Sequence, residues 1–136
     1  MIDITPEIQD CVRDSAQRYH LPEKLILAVI NVEGGKNGLV SHNENGTVDL
    51  GIMQINSIHI NELKKIGIKY NDILYKTCTN IDIGTWLLRK KFSGKKDYRE
   101  SDNWWQAVGN YHSKTPKFNV LYQKKVWAQV LKLKEG

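Results

Sequence analysis

Apolar residues recur at helical spacing along most of this sequence, and the pattern is interrupted once, between residues 39 and 56. The interrupted segment contains Asn45-Gly46, a dipeptide that favours a tight turn, followed by the β-prone pair Thr47-Val48. Helical spacing on both sides predicts a mainly α-helical domain (α+β) with one small β-hairpin or β-like loop around residues 39–56.

Local signals mark the ends of the helices. Thr5-Pro6 and Thr115-Pro116 each combine a capping hydroxyl with a proline at the first helical position. Pro22 opens the second helix, and the pair Gly34-Gly35 ends it. Helices are therefore predicted at 5–19, 22–33, 57–65, 80–92 and 103–112 and from 115 onward. One side of the last helix is predicted to carry Phe118, Tyr122, Val126 and Val130. Two tryptophans on apolar stripes, Trp86 and Trp127, are predicted to lie in the core.

Composition narrows the class of protein. A chain of 136 residues with 40% hydrophobic content fits one globular domain, 1–136, and no apolar run reaches the length of a membrane span. The net charge of +5 suits an acidic partner, but the basic residues are scattered and not interleaved with aromatics, so a nucleic-acid partner is not predicted. The four histidines and two cysteines show no metal-ligand spacing, and we predict no metal and no cofactor.

Cys11 and Cys78 are either buried free thiols or a disulfide. As a disulfide they would contribute roughly 4 kcal/mol on the chain-entropy model, but the choice depends on the redox compartment, and the residues alone favour neither. Met1 is followed by Ile2 and Asp3, without the charged start and apolar stretch of a secretory signal. We expect either a cytosolic protein or one whose signal peptide has been removed and replaced by a methionine.

Two acidic residues border the interrupted segment, Glu33 before it and Asp49 inside it. Glu33 ends an apolar helix, where desolvation would keep the carboxyl protonated, as a general acid requires. Asp49 lies near Gln54 and Asn56, polar neighbours that favour the ionised form. Two carboxyl groups in contrasting environments are the arrangement that lysozyme uses to cleave glycosidic bonds. A solvated helix end and a turn cap would produce the same spacing, so both interpretations stay open at this level.

The local sequence around the two carboxyls resembles known families. Residues 49–57, Asp-Leu-Gly-Ile-Met-Gln-Ile-Asn-Ser, resemble the segment of c-type lysozymes that carries their second catalytic carboxylate. Within it, residues 51–54 are similar to the Gly-Leu-Met-Gln motif of bacterial lytic transglycosylases. Glu33-Gly34-Gly35 resembles the Glu-Ser-Gly motif around the single catalytic glutamate of those enzymes, with Gly34 in place of the serine.

The resemblance covers nearly the whole chain. Residues 80–87 and 107–112 are similar to the later motifs of the transglycosylase family, with Tyr111 at the family's active-site tyrosine and His112 in place of its usual asparagine. The chain most resembles the small transglycosylases that accompany type III and type IV secretion systems and pili. Four motifs in the right order make the resemblance specific.

The resemblance implies a lysozyme-like domain that cleaves the β-1,4 bond between N-acetylmuramic acid and N-acetylglucosamine. Glu33 would protonate the leaving oxygen and then, as a base, activate the sugar's own 6-hydroxyl, which yields a 1,6-anhydromuramic acid end. Many soluble transglycosylases have no carboxylate at the position that Asp49 occupies here. Asp49 would stabilise positive charge that develops on the sugar ring, or form or assist a covalent intermediate. The alternatives are a hydrolytic muramidase that uses both carboxyls and a non-catalytic wall-binding scaffold.

The resemblance also implies the remaining site residues and the setting. The expected partners are peptidoglycan glycan strands and a component of a secretion system or pilus, with the protein acting as a monomer. The relatives carry one cysteine in the first helix and one before an Asn-Ile segment, so a Cys11–Cys78 disulfide and a periplasmic location of the mature form are expected. The residues expected to bind substrate or orient Glu33 are Met53, Gln54, Asn56 and Tyr111, with Met53 lining the sugar-binding cleft.

Overall fold

The computed structural model describes residues 4–92 and 104–135. Over these residues the chain forms seven α-helices, a short 3-10 helix and one three-stranded antiparallel sheet, which confirms the predicted mainly α-helical class with a small β element. No helix in this part of the chain is both long and apolar enough to cross a bilayer. The elements are α1 (Pro6–Tyr19), α2 (Glu23–Glu33), β1 (Val40–His42), β2 (Val48–Leu50), β3 (Ile55–Asn56), the 3-10 helix (Ser57–His59), α3 (Ile60–Lys65), α4 (Tyr70–Tyr75), α5 (Thr77–Lys90), α6 (Trp104–His112) and α7 (Pro116–Glu135).

Helix α2 is the central helix of the core. Its residues 25–30 are all buried, since α1 and α7 both pack against it, and a helix that is apolar on all sides is stable only in such a position. The helix ends where Gly34 adopts a left-handed conformation, with φ of 68°. The predicted stop at the two glycines therefore places Glu33 as the last residue of a buried helix.

The interrupted segment forms the sheet. β1 and β2 make the predicted hairpin, and β3 adds a third strand on the other side of β2, so that β2 is central. Asp49 pairs with Ser41 on β1 and with Asn56 on β3. Directly opposite residues on neighbouring strands bring their side chains together on one face, so the register places Asp49 beside Asn56.

The chain between the sheet and α5 differs from the prediction in detail. The helix predicted at 57–65 begins as the 3-10 helix and continues as α3, and α5 starts at Thr77, before the predicted residue 80. Helix α4 is not predicted, because six residues are too few to show a helical period. Its start is fixed locally by the backbone N–H of Lys69, which donates to the Asp72 carboxylate at 2.9 Å. The first residue of the helix predicted at 103–112, Asn103, lies outside the described residues.

The inner face of α7 agrees with the prediction at Tyr122 and Val126, but it carries Asn119 in place of Phe118. Asn119, Tyr122 and Val126 are buried against α2 and α6, whereas Phe118 and Trp127 are each 50% exposed. Each of the two exposed aromatics is the sequence neighbour of a buried residue, and neighbours on a helix point about 100° apart. The predictions that Phe118 faces the core and that Trp127 belongs to it are therefore wrong.

A disulfide joins Cys11 of α1 to Cys78 of α5 across 67 residues of chain. One helical turn further along the same interface, the Asp82 carboxylate accepts hydrogen bonds from the hydroxyls of Ser15, at 2.9 Å, and Tyr19, at 3.1 Å. The covalent link and the carboxylate cluster together hold α1 against α5.

Replacing both cysteines by serine is expected to lower the free energy of unfolding by about 4 kcal/mol, because the open chain gains the entropy that the closed loop lacks. Urea unfolding of the parent with and without reductant measures the effect, and the double-serine variant is the control, since reductant should leave it unchanged. A parent midpoint that does not respond to full reduction would contradict the prediction.

Candidate active site

A cleft of about 270 Å³ is lined by the end of α2, the sheet, the 3-10 helix, α5 and α6. The structure brings both candidate catalytic carboxyls, Glu33 and Asp49, into this one cleft. Three of the four residues expected to bind substrate also line it, namely Gln54, Asn56 and Tyr111. The other lining residues are Asn43, Ile55, His59, Leu87, Lys91 and His112.

Glu33 borders a second cavity as well. A smaller pocket of about 150 Å³ is lined by Glu33 together with Phe118, Leu121 and Lys125. The half-exposed Phe118 thus has a place in the wall of this pocket. Glu33 therefore borders both cavities.

The carboxyl of Glu33 is tuned by its surroundings. Its pKa is raised from 4.5 to about 7, mainly by burial and in smaller part by the negative charge of Asp49. A hydrogen bond from Tyr122 and the charge of Lys125 act in the opposite direction but do not offset the burial. A carboxyl with this pKa carries a proton in a large fraction of molecules near neutral pH, as a general acid needs.

Tyr122 holds Glu33 in place. Its hydroxyl donates a hydrogen bond of 2.6 Å to Glu33 Oε2, and its buried ring stacks on His112 with the ring centroids 4.9 Å apart. Burial raises the pKa of Tyr122 well above its usual value, so the hydroxyl keeps its proton. Tyr122 is not among the site residues predicted from the sequence. The available signal is that a tyrosine on a buried helix face brings a hydroxyl that needs a partner.

Asp49 is oriented by two amides. Asn56 Nδ2 donates to Asp49 Oδ1 at 3.0 Å, and Asn43 Nδ2 donates to Asp49 Oδ2 at 3.2 Å. The same two amide groups also donate to Thr47 Oγ1, at 3.2 and 3.0 Å. Asn56 thus positions Asp49, in addition to facing the cleft where substrate contact is predicted. Asn43 is not predicted from the sequence, because its position in the hairpin turn gives no sign of this contact.

Met53 differs from its prediction. Its side chain is fully buried, packs against Gly84 of α5 and is not among the residues that line the cleft. Its backbone is nonetheless part of the site, since the Tyr111 hydroxyl donates to the Met53 carbonyl oxygen at 3.1 Å. Tyr111 therefore links α6 to the segment between β2 and β3.

Asn80 fixes the chain that connects β2 to β3. Its Oδ1 accepts from the backbone N–H of Met53 at 2.8 Å, and its Nδ2 donates to the carbonyl oxygens of Leu50 and Ile73, both at 2.9 Å. The side chain is 1% exposed, so all three bonds are shielded from water. Gln54, at the end of this segment, has a φ of 55° and donates from Nε2 to the Gly51 carbonyl oxygen at 2.9 Å.

The end of α2 makes direct backbone contact with the same segment. A Cβ atom on Gly35 would collide with the Gly51 carbonyl oxygen and would lie 2.8 Å from that of Ile52. The lack of a side chain at Gly35 therefore lets the chain that follows Glu33 approach the strand connection closely. This contact gives a physical reason for a glycine two residues after the glutamate.

The arrangement suits acid–base chemistry on a glycan. It offers one partly buried carboxyl that titrates near neutral pH and one carboxylate held by amides, in a cleft rich in amide and hydroxyl groups. Within residues 4–92 and 104–135, no group of three or more histidine, cysteine, aspartate or glutamate side chains is placed to hold a metal ion.

Comparison with protein families identifies the class. The family described as "Transglycosylase SLT domain" matches residues 10–123, so the chain belongs to this family of peptidoglycan lytic transglycosylases, and the resemblance seen in the sequence motifs is confirmed.

Relatives similar to this chain include the invasion protein IagB of Salmonella typhi, 34% identical over 140 residues, or 99% of this chain and 84% of IagB. Protein IpgF of Shigella flexneri is 28% identical over 131 residues, or 91% of this chain and 81% of IpgF. A peptidoglycan-binding-like protein of Escherichia coli O157:H7 is 33% identical over 138 residues, or 92% of this chain and 78% of that protein.

Proposed function

We propose that the protein cleaves the β-1,4 bond between N-acetylmuramic acid and N-acetylglucosamine without water, leaving a 1,6-anhydromuramic acid end. The observation that carries the proposal is the carboxyl of Glu33, which lines the cleft together with Asp49 and has a pKa of about 7. A group that gains and loses its proton near neutral pH can act first as an acid and then as a base.

In the proposed reaction, protonated Glu33 gives its proton to the glycosidic oxygen as the bond from that oxygen to C1 of the muramoyl unit breaks. The resulting Glu33 carboxylate takes the proton of the 6-hydroxyl of the same unit, and the 6-oxygen bonds to C1. Glu33 ends in its starting form, and no water is consumed. Asp49, held by Asn43 and Asn56, stabilises the positive charge that develops on the sugar ring.

Hydrolysis is the second candidate, and the orientation of Asp49 favours it. A carboxylate fixed by two amides in the same cleft as the acid is also what a muramidase needs. Mass spectrometry of fragments released from purified sacculi separates the two reactions, because hydrolytic products are heavier by one water. We expect anhydro ends, and products that all carry the added water would replace transglycosylation by hydrolysis.

Asp49→Asn is expected to lower kcat by about 100-fold, since it removes a negative charge placed for the transition state. Glu44→Gln is the matched control: it removes one negative charge from the exposed turn of the same hairpin, outside the cleft, and should leave kcat unchanged. Turnover of sacculi by both variants, with thermal unfolding to verify the fold, gives the comparison. Near-parental turnover of Asp49→Asn would limit Asp49 to a structural role in the hairpin.

We further propose that the enzyme works in the periplasm, where peptidoglycan lies, and opens the wall locally for a secretion system or pilus. The Cys11–Cys78 disulfide supports an oxidising compartment, and the net charge of +5 suits a polymer that carries carboxylates. The relative IagB is named an invasion protein, and the proposed link of this chain to a secretion system or pilus rests on the resemblance of its sequence motifs. Fractionation of producing cells, with a non-reducing mass of the recovered protein, tests this: cytoplasmic protein with two free thiols would contradict it.

A further inference from the structure

Lys91 gives the cleft a positive charge that the proposed reaction does not use. It follows the last residue of α5 and is the one lysine or arginine among the described residues that line the cleft. The side chain is partly buried, and none of the ion pairs found among residues 4–92 and 104–135 involves it.

The surroundings of Lys91 are electrostatically unfavourable. Burial lowers the pKa of its ammonium group, and the positive charges of Lys114 and Lys90 lower it further. A partly buried cation near two like charges costs free energy unless an anion joins it. Side chains kept in such positions mark candidate binding sites for a ligand of the opposite charge.

Different charges act on the two titratable cleft residues Glu33 and His59. Those that act on Glu33 come from Asp49 and Lys125, whereas Lys91 acts on His59, which also lies in the cleft wall. Lys91 is therefore placed to contact a glycan bound in the cleft, and it is not among the charges that set the pKa of Glu33.

The substrate of the proposed reaction carries a group that would pair with the Lys91 ammonium group. Each muramoyl unit bears a lactyl side group, whose carboxylate is free when the strand lacks peptide, and a peptide stem carries carboxylates of its own. N-acetylglucosamine units carry none. An ammonium group pairs with a carboxylate through a charge-assisted hydrogen bond, the stronger kind.

We propose that Lys91 binds a carboxylate on a muramoyl unit and thereby makes the enzyme select carboxylate-bearing glycans over neutral polymers of N-acetylglucosamine. The inference rests on the proposed function, since that substrate supplies the carboxylate. Lys91 is then a specificity residue that contributes to binding and takes no part in proton transfer.

The test compares Lys91→Met with two controls. Methionine keeps an apolar stem of similar length without the charge, Lys91→Arg keeps the charge, and Lys64→Met removes one charge from exposed α3, outside the cleft. The substrates are peptide-free strands with free lactyl carboxylates, the same strands with those groups converted to amides, and sacculi that retain their stems. We expect Lys91→Met to raise KM by about tenfold on carboxylate-bearing strands and to leave kcat close to that of the parent. Lys91→Arg and Lys64→Met should be close to the parent in both KM and kcat.

The substrates also distinguish the two sources of the carboxylate. If the lactyl group is bound, amidation raises the KM of the parent as much as Lys91→Met does and leaves that variant unchanged. If a stem is bound, the difference between parent and variant appears only with sacculi. Either pattern supports the proposal. A KM for Lys91→Met that equals that of Lys64→Met on both carboxylate-bearing substrates would overturn it.

A binding measurement separates this inference from the proposed reaction. In the Glu33→Gln background, a tetrasaccharide with two muramoyl units should bind about tenfold more tightly than chitotetraose, and Lys91→Met should remove the preference. If the parent cleaves no strand but the preference is found, the reaction is wrong and the subsite stands. If the parent cleaves strands and the preference is absent both for this tetrasaccharide and for the same tetrasaccharide carrying peptide stems, only the role of Lys91 is wrong.

Discussion

Glu33→Gln is expected to lower the rate of glycan cleavage by at least about 100-fold, because an amide has no acidic proton for the leaving oxygen. Glutamine keeps the volume of the side chain and an oxygen that can accept the Tyr122 hydrogen bond, so the cleft should keep its shape. Release of soluble fragments from purified sacculi measures the loss. If the variant cleared peptidoglycan as fast as the parent, Glu33 would have no catalytic role and a wall-binding scaffold would be favoured.

The Glu33→Gln variant is expected to be more stable than the parent at high pH. The folded-state pKa of Glu33 is about 7, above the reference value of 4.5, so the folded protein binds more protons between these values and loses stability as the pH rises through them. The loss is on the order of 3 kcal/mol above pH 7 and disappears below pH 4.5. Glutamine does not ionise, so the free energy of unfolding of the variant should exceed that of the parent by this amount at pH 8 and equal it near pH 4. Urea unfolding at the two pH values measures the difference.

The cleavage rate is expected to fall at alkaline pH as Glu33 loses the proton that it gives to the leaving oxygen. Tyr122→Phe tests whether this alkaline limb of the pH–rate profile reports the titration of Glu33. The Tyr122 hydroxyl donates to the carboxyl and lowers its pKa, so its removal should raise the pKa and move the limb to higher pH. Phenylalanine keeps the ring that packs on His112, which limits other changes. A limb that stays in place would assign the titration to another group.

The contrast between Glu33 and Tyr122 shows what the sequence could predict. Glu33 ends an apolar helix before two glycines, and each of these signals is local, so its place in the fold follows from neighbouring residues. Tyr122 lies 89 residues away along the chain. Helical periodicity places it on the buried side of α7 but does not say which residue of which helix it meets.

Met53 and Asn43 show the same limit inside the sheet. Family resemblance marks residues 51–54 as part of the site, but which of these side chains points into the cleft depends on how the chain turns between β2 and β3. That turn is set by Asn80 of α5, whose side chain bonds to the backbone of Leu50 and Met53 in this segment and to that of Ile73 in α4. Asn43 contacts Asp49 only because the hairpin register brings the two together.

Gly35→Ala is the second change with a large expected effect. Its methyl group would collide with the Gly51 and Ile52 carbonyl oxygens, which are backbone atoms and cannot rotate away. The strand connection would have to move, and with it the Met53 groups that bind Asn80 and Tyr111. We expect the free energy of unfolding to fall by about 3 kcal/mol and turnover by about 100-fold, because small displacements in an active site are costly.

Gly34→Ala is the matched control, because it adds the same methyl group one residue earlier. Gly34 has a positive φ of 68°, so alanine there costs about 1 kcal/mol of backbone strain, but its Cβ would meet nothing within 4 Å. Denaturant unfolding and turnover of both variants separate strain at the helix end from displacement of the cleft. Equal losses in the two would assign the effect to the end of α2, whereas a much larger loss for Gly35→Ala locates it in the backbone contact that sets Glu33 against the strand connection.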